Sequence, residues 1–265
     1  MRDALTRQAL TFTSTNGRIT AIQDLGGRHY EYSYDGTKLV AFKNPLAVAG
    51  TQPPVTYSYY DDATLNDAMR RYTLPRGNGM TFEYYMNGMV FRHTNDLGAA
   101  STFTYNEFRR ERTVVNERGH PRKFFFDQHG NPVKIVEENG GERSYTYDPA
   151  NPMNRVSKRD PMGYTTQYCY DSAGNVTRII RPSAPTGTTC TTQTPTGVIE
   201  SGHFDAFNQP RKLLDAAGNC TVQKFDTTHG NLLEVLRLTV TASAACRQTS
   251  FDPTTYTPAA GDLVA

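Results

Sequence analysis

An aromatic residue followed by aspartate recurs along the whole chain, and this repeat constrains the fold more than any other feature. Successive copies are about 21 residues apart, with several longer steps. The clear copies are Tyr34-Asp35, Tyr60-Asp61, Phe126-Asp127, Tyr147-Asp148, Tyr170-Asp171, Phe204-Asp205, Phe225-Asp226 and Phe251-Asp252, and the weaker ones are Phe12-Thr13, Tyr85-Met86 and Tyr105-Asn106. A regular period of this length is typical of repeat architectures, in which each unit is one small supersecondary element.

Each copy lies in the same local pattern. An alternating run such as Tyr168–Tyr170 comes first, and alternation of this kind predicts a strand with two unlike faces. A turn such as Asp171–Asn175 follows, in which the aspartate can bind backbone N–H groups and the glycine accepts a positive φ. A second strand then carries aliphatic residues, and a second turn such as Asp160–Gly163 closes the unit. One unit is therefore predicted to be a β-hairpin.

The whole chain is accordingly predicted to be all-β, a single array of about eleven β-hairpins over residues 1–265. One hairpin is at best marginally stable in water, whereas neighbouring hairpins can pair and satisfy each other's edges. About 22 strands at ~4.8 Å spacing would form a strip of roughly 100 Å, which must curl or close. We therefore expect a spiralling sheet. Helical periodicity is not sustained anywhere in the sequence.

The repeats resemble a known family. The segment Tyr168–Pro182 strongly resembles the YD repeat of RHS proteins, and Glu31–Gly36 and Ser144–Asp148 match its first half. The resemblance extends over nearly the entire chain. It implies a β-sheet strip that spirals into a hollow shell. In bacterial RHS proteins and in the C components of insecticidal toxin complexes, such a shell encloses a C-terminal toxin, and teneurins use a similar barrel at cell surfaces.

Two family features do not occur in this sequence, namely the self-cleavage motif and the variable toxin that follows it. The segment Asp160–Gly163 looks like the end of that motif, but an ordinary repeat follows it, and we interpret it as a turn. Because the first and last units are incomplete, we expect the chain to be a fragment of a larger protein. The N-terminal residues Met1–Ala4 do not begin an apolar signal-peptide region.

These features predict a non-catalytic structural shell segment of a secreted or cell-surface bacterial protein. Its expected partners are the remainder of the same RHS shell and a cargo or toxin domain that the shell encapsulates. The alternative is a cell-surface adhesion or carbohydrate-binding module with exposed aromatic side chains that bind a glycan. A hydrolase on a β-propeller is a remote third interpretation, because propeller blades need roughly 40 residues or more.

Residue patterns that carry chemistry are sparse. The sequence has no nucleophile elbow, no P-loop and no dinucleotide-binding glycine motif. None of the six histidines has a metal-ligand spacing. The repeated aspartates could form a ladder of calcium sites, but one carboxylate per unit favours turn capping. The repeated tyrosines could stack on sugars, but an interior stripe is the plainer explanation. We therefore expect no catalytic, metal-binding or cofactor-binding residues.

The charge pattern gives no indication of a nucleic-acid or membrane partner. Lys and Arg total 28 against 26 Asp and Glu, a net charge of +2. The most basic stretch runs from Arg109 to Lys123 and is interrupted by Glu111 and Glu117, so we interpret it as solvated strand faces rather than a phosphate-binding track. No apolar run approaches the ~18 residues of a membrane helix.

Four cysteines lie in the C-terminal part of the chain, near two expanded loops. Cys190 is in an insertion over residues 182–201 and Cys246 is in a second one over 239–248, whereas Cys169 and Cys220 are on predicted first strands. This placement suggests disulfides that staple the loops in an oxidising compartment. Four cysteines allow three pairings. Cys246 is within reach of Cys220, which leaves Cys169 with Cys190, and four free thiols are the alternative.

Overall fold

The computed structural model describes residues 10–192, 196–248 and 250–264. Within these residues the fold is all-β, with twenty-one strands and two short helices, which confirms the predicted fold class. The strands are two to seven residues long, as expected for tightly connected hairpins. The chain divides after Lys123 into two compact units.

The first unit is a series of consecutive antiparallel strands. The elements are β1 (Leu10–Thr15), β2 (Arg18–Asp24), β3 (His29–Asp35), β4 (Lys38–Lys43), α1 (Pro45–Val48), β5 (Val55–Tyr59), β6 (Met69–Thr73), β7 (Gly79–Tyr84), β8 (Val90–Asn95), β9 (Ala100–Asn106) and β10 (Glu111–Val115). Each strand pairs with the next along the chain. Strand β11 (Pro121–Phe126) contains the boundary between the units.

The second unit continues the same pattern. Its elements are β12 (Pro132–Val136), β13 (Glu142–Tyr147), β14 (Arg155–Arg159), β15 (Thr165–Tyr170), β16 (Val176–Ile180), β17 (Val198–Phe204), β18 (Pro210–Leu214), β19 (Cys220–Phe225), β20 (Leu232–Arg237), α2 (Val240–Cys246) and β21 (Leu263–Val264). Consecutive strands are again antiparallel. The sequence pattern of one hairpin per repeat is therefore realised in both units.

A β-bulge recurs immediately before the aromatic residue that ends the first strand of a hairpin. In β15 and β16, Cys169 pairs with Arg178 and Tyr170 pairs with Val176, so Thr177 is the extra residue. The same shift precedes Tyr34, Tyr59, Tyr84, Tyr147 and Phe225. Bulges increase the local right-handed twist of a strand pair. The twist of the strand pairs is therefore expected to increase once in each of these hairpins.

Most described side chains are half-buried or exposed, since much of the sheet has no second layer over it. Complete burial occurs mainly in the second unit. There, one cluster contains Leu214, Cys220, Val222, Leu236, Leu238 and Cys246, with Ala242, Phe251 and Tyr256 packed against it. A smaller cluster contains Cys169, Ile180 and Val198, with Ala184 against it. Both clusters lie where an insertion folds back over the sheet.

The two insertions differ in extent from the sequence expectation. The first ends earlier than residue 201, because β17 already begins at Val198. The second continues past residue 248, since β21 begins only at Leu263. Phe251 and Asp252, expected at the end of a strand, lie in this connection without strand structure, and Phe251 packs on the larger cluster instead. The periodic motif there is used for packing rather than for pairing.

Candidate functional site

The tyrosine of the repeat connects neighbouring hairpins. Five of these hydroxyls each donate a hydrogen bond to the carbonyl fifteen residues earlier, at or next to the start of the preceding strand. The bonds are Tyr34 to Ile19 (3.0 Å), Tyr84 to Met69 (2.8 Å), Tyr105 to Val90 (2.9 Å), Tyr147 to Pro132 (3.0 Å) and Tyr170 to Arg155 (2.9 Å). Burial raises the pKa of Tyr84, Tyr105, Tyr147 and Tyr170, which keeps these hydroxyls protonated donors.

In two repeats the tyrosine that follows the bulge lies one residue before the aromatic residue of the sequence repeat, Tyr60 or Tyr85. Tyr59, not Tyr60, follows the bulge, and its hydroxyl donates to the Leu39 carbonyl at 2.8 Å. The Tyr60 hydroxyl instead donates forward to Phe82 on β7, at 2.8 Å. Tyr84 occupies the equivalent position in the next repeat. Consecutive tyrosines made the register ambiguous in the sequence, and only the strand pairing distinguishes them.

Removing one such hydroxyl gives a direct stability prediction. We expect Tyr170→Phe to lower the free energy of unfolding by about 0.5–1.5 kcal/mol, the net value of one hydrogen bond. The substitution leaves the Arg155 carbonyl without its 2.9 Å donor. Urea unfolding measures the change. Tyr164→Phe is the control, because Tyr164 is 59% exposed, and an equal loss in both variants would contradict the linking role.

The aspartates of the repeat cap turns through a constant set of hydrogen bonds. In Asp171 the Oδ1 atom accepts the N–H groups of Ala173 (3.0 Å) and Asn175 (2.9 Å), and the Asn175 amide donates to Oδ2 (3.0 Å). Asp127, Asp205 and Asp215 accept the N–H groups two and four residues ahead through Oδ1 in the same way. Asp226, in a longer turn, accepts the Thr228 and His229 N–H groups through Oδ1 and the Asn231 N–H through Oδ2. Gly174 follows with φ of +87°, a conformation that glycine tolerates. These contacts use the carboxylates within their own turns.

Three expected aspartates have other geometries. Asp35 pairs with Lys38 across a two-residue turn. Asp62, not Asp61, accepts the N–H groups of Thr64 and Leu65. Asp148 accepts only the Ala150 N–H through Oδ1, because its turn is longer. In the first unit the same capping pattern occurs at other turns, those of Asp24, Asn95 and Asn116. Phe126, Phe204 and Phe225 end β11, β17 and β19, without a hydroxyl to reach the preceding hairpin.

The capped aspartates predict sensitivity to acid. Backbone hydrogen bonds, the one from His229 foremost, lower the pKa of Asp226 to about 2, and the Asn175 amide lowers that of Asp171. An unfolded aspartate has a pKa near 3.9, so the stabilisation is present above about pH 4. It is lost as the pH falls through the folded pKa, towards about pH 2. We expect Asp226→Asn to flatten this part of the stability profile in urea titrations at several pH values.

The control for the acid prediction is Asp61→Asn. Its carboxylate lies outside the Asp226 turn, so flattening of the same size in this variant would mean that the Asp226 hydrogen bonds are not the cause. A profile unchanged in Asp226→Asn would refute the assigned contribution of the Asp226 turn. The asparagine keeps one oxygen, which can accept the Thr228 and His229 N–H groups, whereas the Asn231 N–H loses its acceptor at Oδ2, so a loss of stability that does not depend on pH should accompany the flattened profile.

The two faces of the first unit differ sharply in chemistry. One face carries aromatic rings in contact across strands β6 to β9, with centroid distances of 6.0 Å for Tyr72–Phe82, 6.2 Å for Phe82–His93 and 5.3 Å for His93–Phe103. The other face carries threonine side chains and ion pairs such as Glu31–Lys43 at 3.0 Å. We name the first the aromatic face. Its rings are partly exposed, and they pack mainly against one another.

The described residues bring together little that resembles a reactive centre. An open depression of about 360 Å³ on the β9–β10 hairpin is lined by Thr104, Tyr105, Asn106, Arg109, Glu111 and Thr113. No group of three or more His, Cys, Asp or Glu converges within the part of the chain that the structure describes. In the same part, no helix is long and apolar enough to cross a membrane.

The first insertion is held on the sheet by a disulfide and an arginine. Cys190 is bonded to Cys169 of β15. The Arg178 Nη1 atom donates to the carbonyls of Thr189 (3.0 Å) and Cys190 (2.9 Å), and its Nη2 atom lies 3.0 Å from Glu200. The arginine is largely buried, so its charge is balanced by the carboxylate and two carbonyl dipoles. No pattern in the sequence indicates this role of Arg178.

The second insertion covers the larger buried cluster. Helix α2 begins after Thr239, whose side chain accepts the Ala242 N–H, and ends at Cys246, which is bonded to Cys220 of β19. The Ser243 hydroxyl oxygen accepts the buried Cys220 N–H at 3.0 Å. Further along, the Tyr256 hydroxyl donates to Asp262 at 2.6 Å, and burial together with this carboxylate raises the pKa of Tyr256 to about 12.

Comparison with solved structures identifies the architecture. The chain superposes on part of the Tc holotoxin pore of Photorhabdus luminescens with a TM-score of 0.51, over 85% of this chain and 14% of that one, at 12% identity. Crystal structures of TcdB2-TccC3 without the hypervariable C-terminal region and of TcdB2-TccC3-TEV give TM-scores of 0.50 and 0.53, at 10% and 11% identity. The fold is similar to part of TcdB2-TccC3.

The match to the two TcdB2-TccC3 structures covers 86% and 88% of this chain but only 15% of each solved chain. At such low identity the likeness concerns the fold alone. No protein-family description and no curated protein matches the sequence. The structural likeness agrees with the RHS-type architecture that the repeat pattern predicts.

Proposed function

We propose that this chain is a non-catalytic wall segment of a larger RHS-type protein that is exported and encloses a cargo domain. The observation that carries the proposal is the succession of paired hairpins in each unit, with a fold similar to part of TcdB2-TccC3. Strand pairing and tyrosine hydrogen bonds satisfy polar groups along the strip, so extended sheet can persist without a thick core. The proposed role of the segment is to keep other molecules away from the enclosed cargo domain.

The unlike faces of the first unit support an enclosing wall. A sheet with one aromatic and one polar face is stable when the polar face meets bulk water. On the polar face, Arg92 and Glu83 are 3.6 Å apart and Glu31 lies 3.0 Å from Lys43, which are contacts suited to solvent. We accordingly assign the polar face to the outside and the aromatic face to the enclosed side.

A protease-protection experiment tests the proposal. The full-length protein that contains this chain is purified, and the region that follows the repeats is also expressed alone. We expect the region to resist proteinase K within the full-length protein at concentrations that degrade it alone. Equal degradation in the two samples would overturn encapsulation, and electron microscopy of the full-length protein should show a hollow particle.

A carbohydrate-binding function makes a different prediction for the same aromatic residues. Sugar stacking requires accessible ring faces, whereas Phe82 and Phe103 each pack against His93 at 6.2 and 5.3 Å. The mutual packing favours the wall. A glycan array probed with the purified chain distinguishes the wall function from the carbohydrate-binding function. Specific glycan binding that is lost in the Tyr72→Ala variant would favour the carbohydrate-binding module.

A further inference from the structure

We propose that Cys169–Cys190 is a reducible clasp, whereas Cys220–Cys246 is a permanent staple. The inference concerns residues 181–192, which we name the clasped segment. It does not depend on the shell proposal. The two disulfides look alike in sequence, since each joins a strand cysteine to an insertion cysteine, over separations of 21 and 26 residues. Their surroundings in the fold differ in a way that determines which one a soluble thiol can reach.

Accessibility separates the two bonds. Cys190 is an exposed residue, and its partner Cys169 is 5% exposed. In the other bond, Cys220 is 1% exposed and Cys246 is completely buried. Thiol–disulfide exchange requires an attacking thiolate to approach a sulfur atom along the S–S axis. The exposed surface of Cys190 offers a route for this approach, whereas at Cys246, which is completely buried, helix α2 would have to leave the sheet first.

The attachment of the clasped segment is concentrated near the exposed cysteine. Besides the disulfide, the Arg178 guanidinium donates to the Thr189 and Cys190 carbonyls. Ala184 packs against the small cluster that contains Ile180 and Val198. Among the described residues, the Arg181 N–H also donates to the Gly197 carbonyl at 2.8 Å, and bonds such as that from Thr188 Oγ1 to the Pro185 carbonyl at 2.7 Å lie within the segment. Loss of the disulfide therefore removes the covalent link between the segment and β15 and leaves non-covalent contacts to hold it.

The second bond is embedded in a larger set of contacts. Ser243 accepts the Cys220 N–H at 3.0 Å, and Arg247 Nη2 donates to the Gly218 carbonyl at 2.9 Å. Leu236 and Val222, both completely buried, pack in the same cluster as the two cysteines. Helix α2 should consequently stay in place when Cys169–Cys190 opens.

The exchange reaction needs two equivalents of a monothiol reductant such as glutathione. The first thiolate attacks Sγ of Cys190, forming a mixed disulfide and releasing Cys169 as a thiolate that takes up a proton. The second thiol attacks the mixed disulfide, which gives the oxidised reductant and a free Cys190 thiol. Two cysteines are reduced and two reductant thiols are oxidised. Transfer from an oxidising to a reducing compartment would thus free the clasped segment and expose Ile180 and Val198.

Graded reduction of the native chain tests the clasp. Samples are treated with increasing reduced glutathione at neutral pH, quenched with acid and alkylated with iodoacetamide, and each cysteine is quantified by peptide mass spectrometry. We expect Cys169 and Cys190 to become alkylated at least about tenfold faster than Cys220 and Cys246, as access controls exchange. Near-UV circular dichroism should remain native during the fast phase. Simultaneous reduction of both bonds, or earlier reduction of Cys220–Cys246, would overturn the assignment.

Limited proteolysis provides the second readout. Proteinase K should cleave within residues 182–192 in the C169S/C190S variant without reductant, and in the unsubstituted chain only after reduction. The matched control is C220S/C246S, in which the clasped segment should remain protected. Equal cleavage within these residues whether Cys169–Cys190 is intact, reduced or removed would refute the clasp. Should C169S/C190S fail to fold, the graded reduction of the unsubstituted chain decides by itself.

Discussion

Leu236→Ala is expected to lower the free energy of unfolding of the second unit by about 2–5 kcal/mol. Leu236 lies on β20 with no exposed surface, and it packs with Leu214, Val222 and the Cys220–Cys246 disulfide. Truncation removes buried methyl groups and leaves a cavity that the disulfide and helix α2 prevent from closing. Because so few side chains are fully buried, this one contributes disproportionately. Urea unfolding followed by circular dichroism measures the loss.

The same strand offers a matched control. Leu233 lies three residues before Leu236 on β20 and is 67% exposed. Leu233→Ala should therefore change the free energy of unfolding by less than about 0.5 kcal/mol. Both variants remove the same atoms and change strand propensity equally. Comparable losses in the two would mean that strand propensity, and not the cluster under α2, stabilises this part of the chain.

Gly79→Ala should produce the largest effect in the first unit, about 1–3 kcal/mol or more. A β-carbon at Gly79 would lie 2.1 Å from the Tyr72 carbonyl oxygen and 3.1 Å from the Thr73 Cα atom, so the backbone of β6 would have to move. The Gly79 N–H also donates to Asp96 at 2.6 Å, and a shift would strain that bond. Thermal unfolding measures the loss, and hydrogen exchange should show faster exchange of the β6 and β7 amides.

Gly202 is the control for this substitution. It also lies within a strand, β17, but a β-carbon there meets nothing within 4 Å, so Gly202→Ala should be close to neutral or slightly stabilising. Destabilisation of similar size at both positions would show that the Gly79 effect is not a collision with β6.

Much of the fold was predictable because each hairpin is determined by nearby residues. Alternation around Tyr170 indicates the first strand, and Asp171 with Gly174 indicates the turn. The hydrogen bonds from Ala173 and Asn175 to Asp171 explain why this pattern recurs. Where tyrosines are consecutive, the sequence leaves the register open by one residue. The Tyr59 hydroxyl donates to a carbonyl of the preceding strand β4, and the Tyr60 hydroxyl donates to a carbonyl of the later strand β7. Only the strand register shows that Tyr59 is the one that follows the bulge.

The helices were less accessible to sequence reasoning. Helix α2 has seven residues and α1 has four, too short for a periodic apolar stripe. The N-terminal capping residues of the two helices are the sequence features that mark them. The Asn44 side chain accepts the Ala47 N–H, with Pro45 at the first helical position, and Thr239 caps α2. Such caps also occur in ordinary turns, so they indicate a chain reversal without specifying a helix.

The sequence by itself determined the all-β class, the hairpin period and the capped turns, because these depend on residues within a few positions of one another. The tertiary structure alone decided which patches of sheet are covered. In the tertiary structure Cys190 is exposed to solvent and Cys246 is buried on helix α2. The Arg178 side chain binds carbonyls of the first insertion. Burial depends on how a connection folds back over strands distant in sequence, and a repeat pattern, being the same in every unit, carries no information about that.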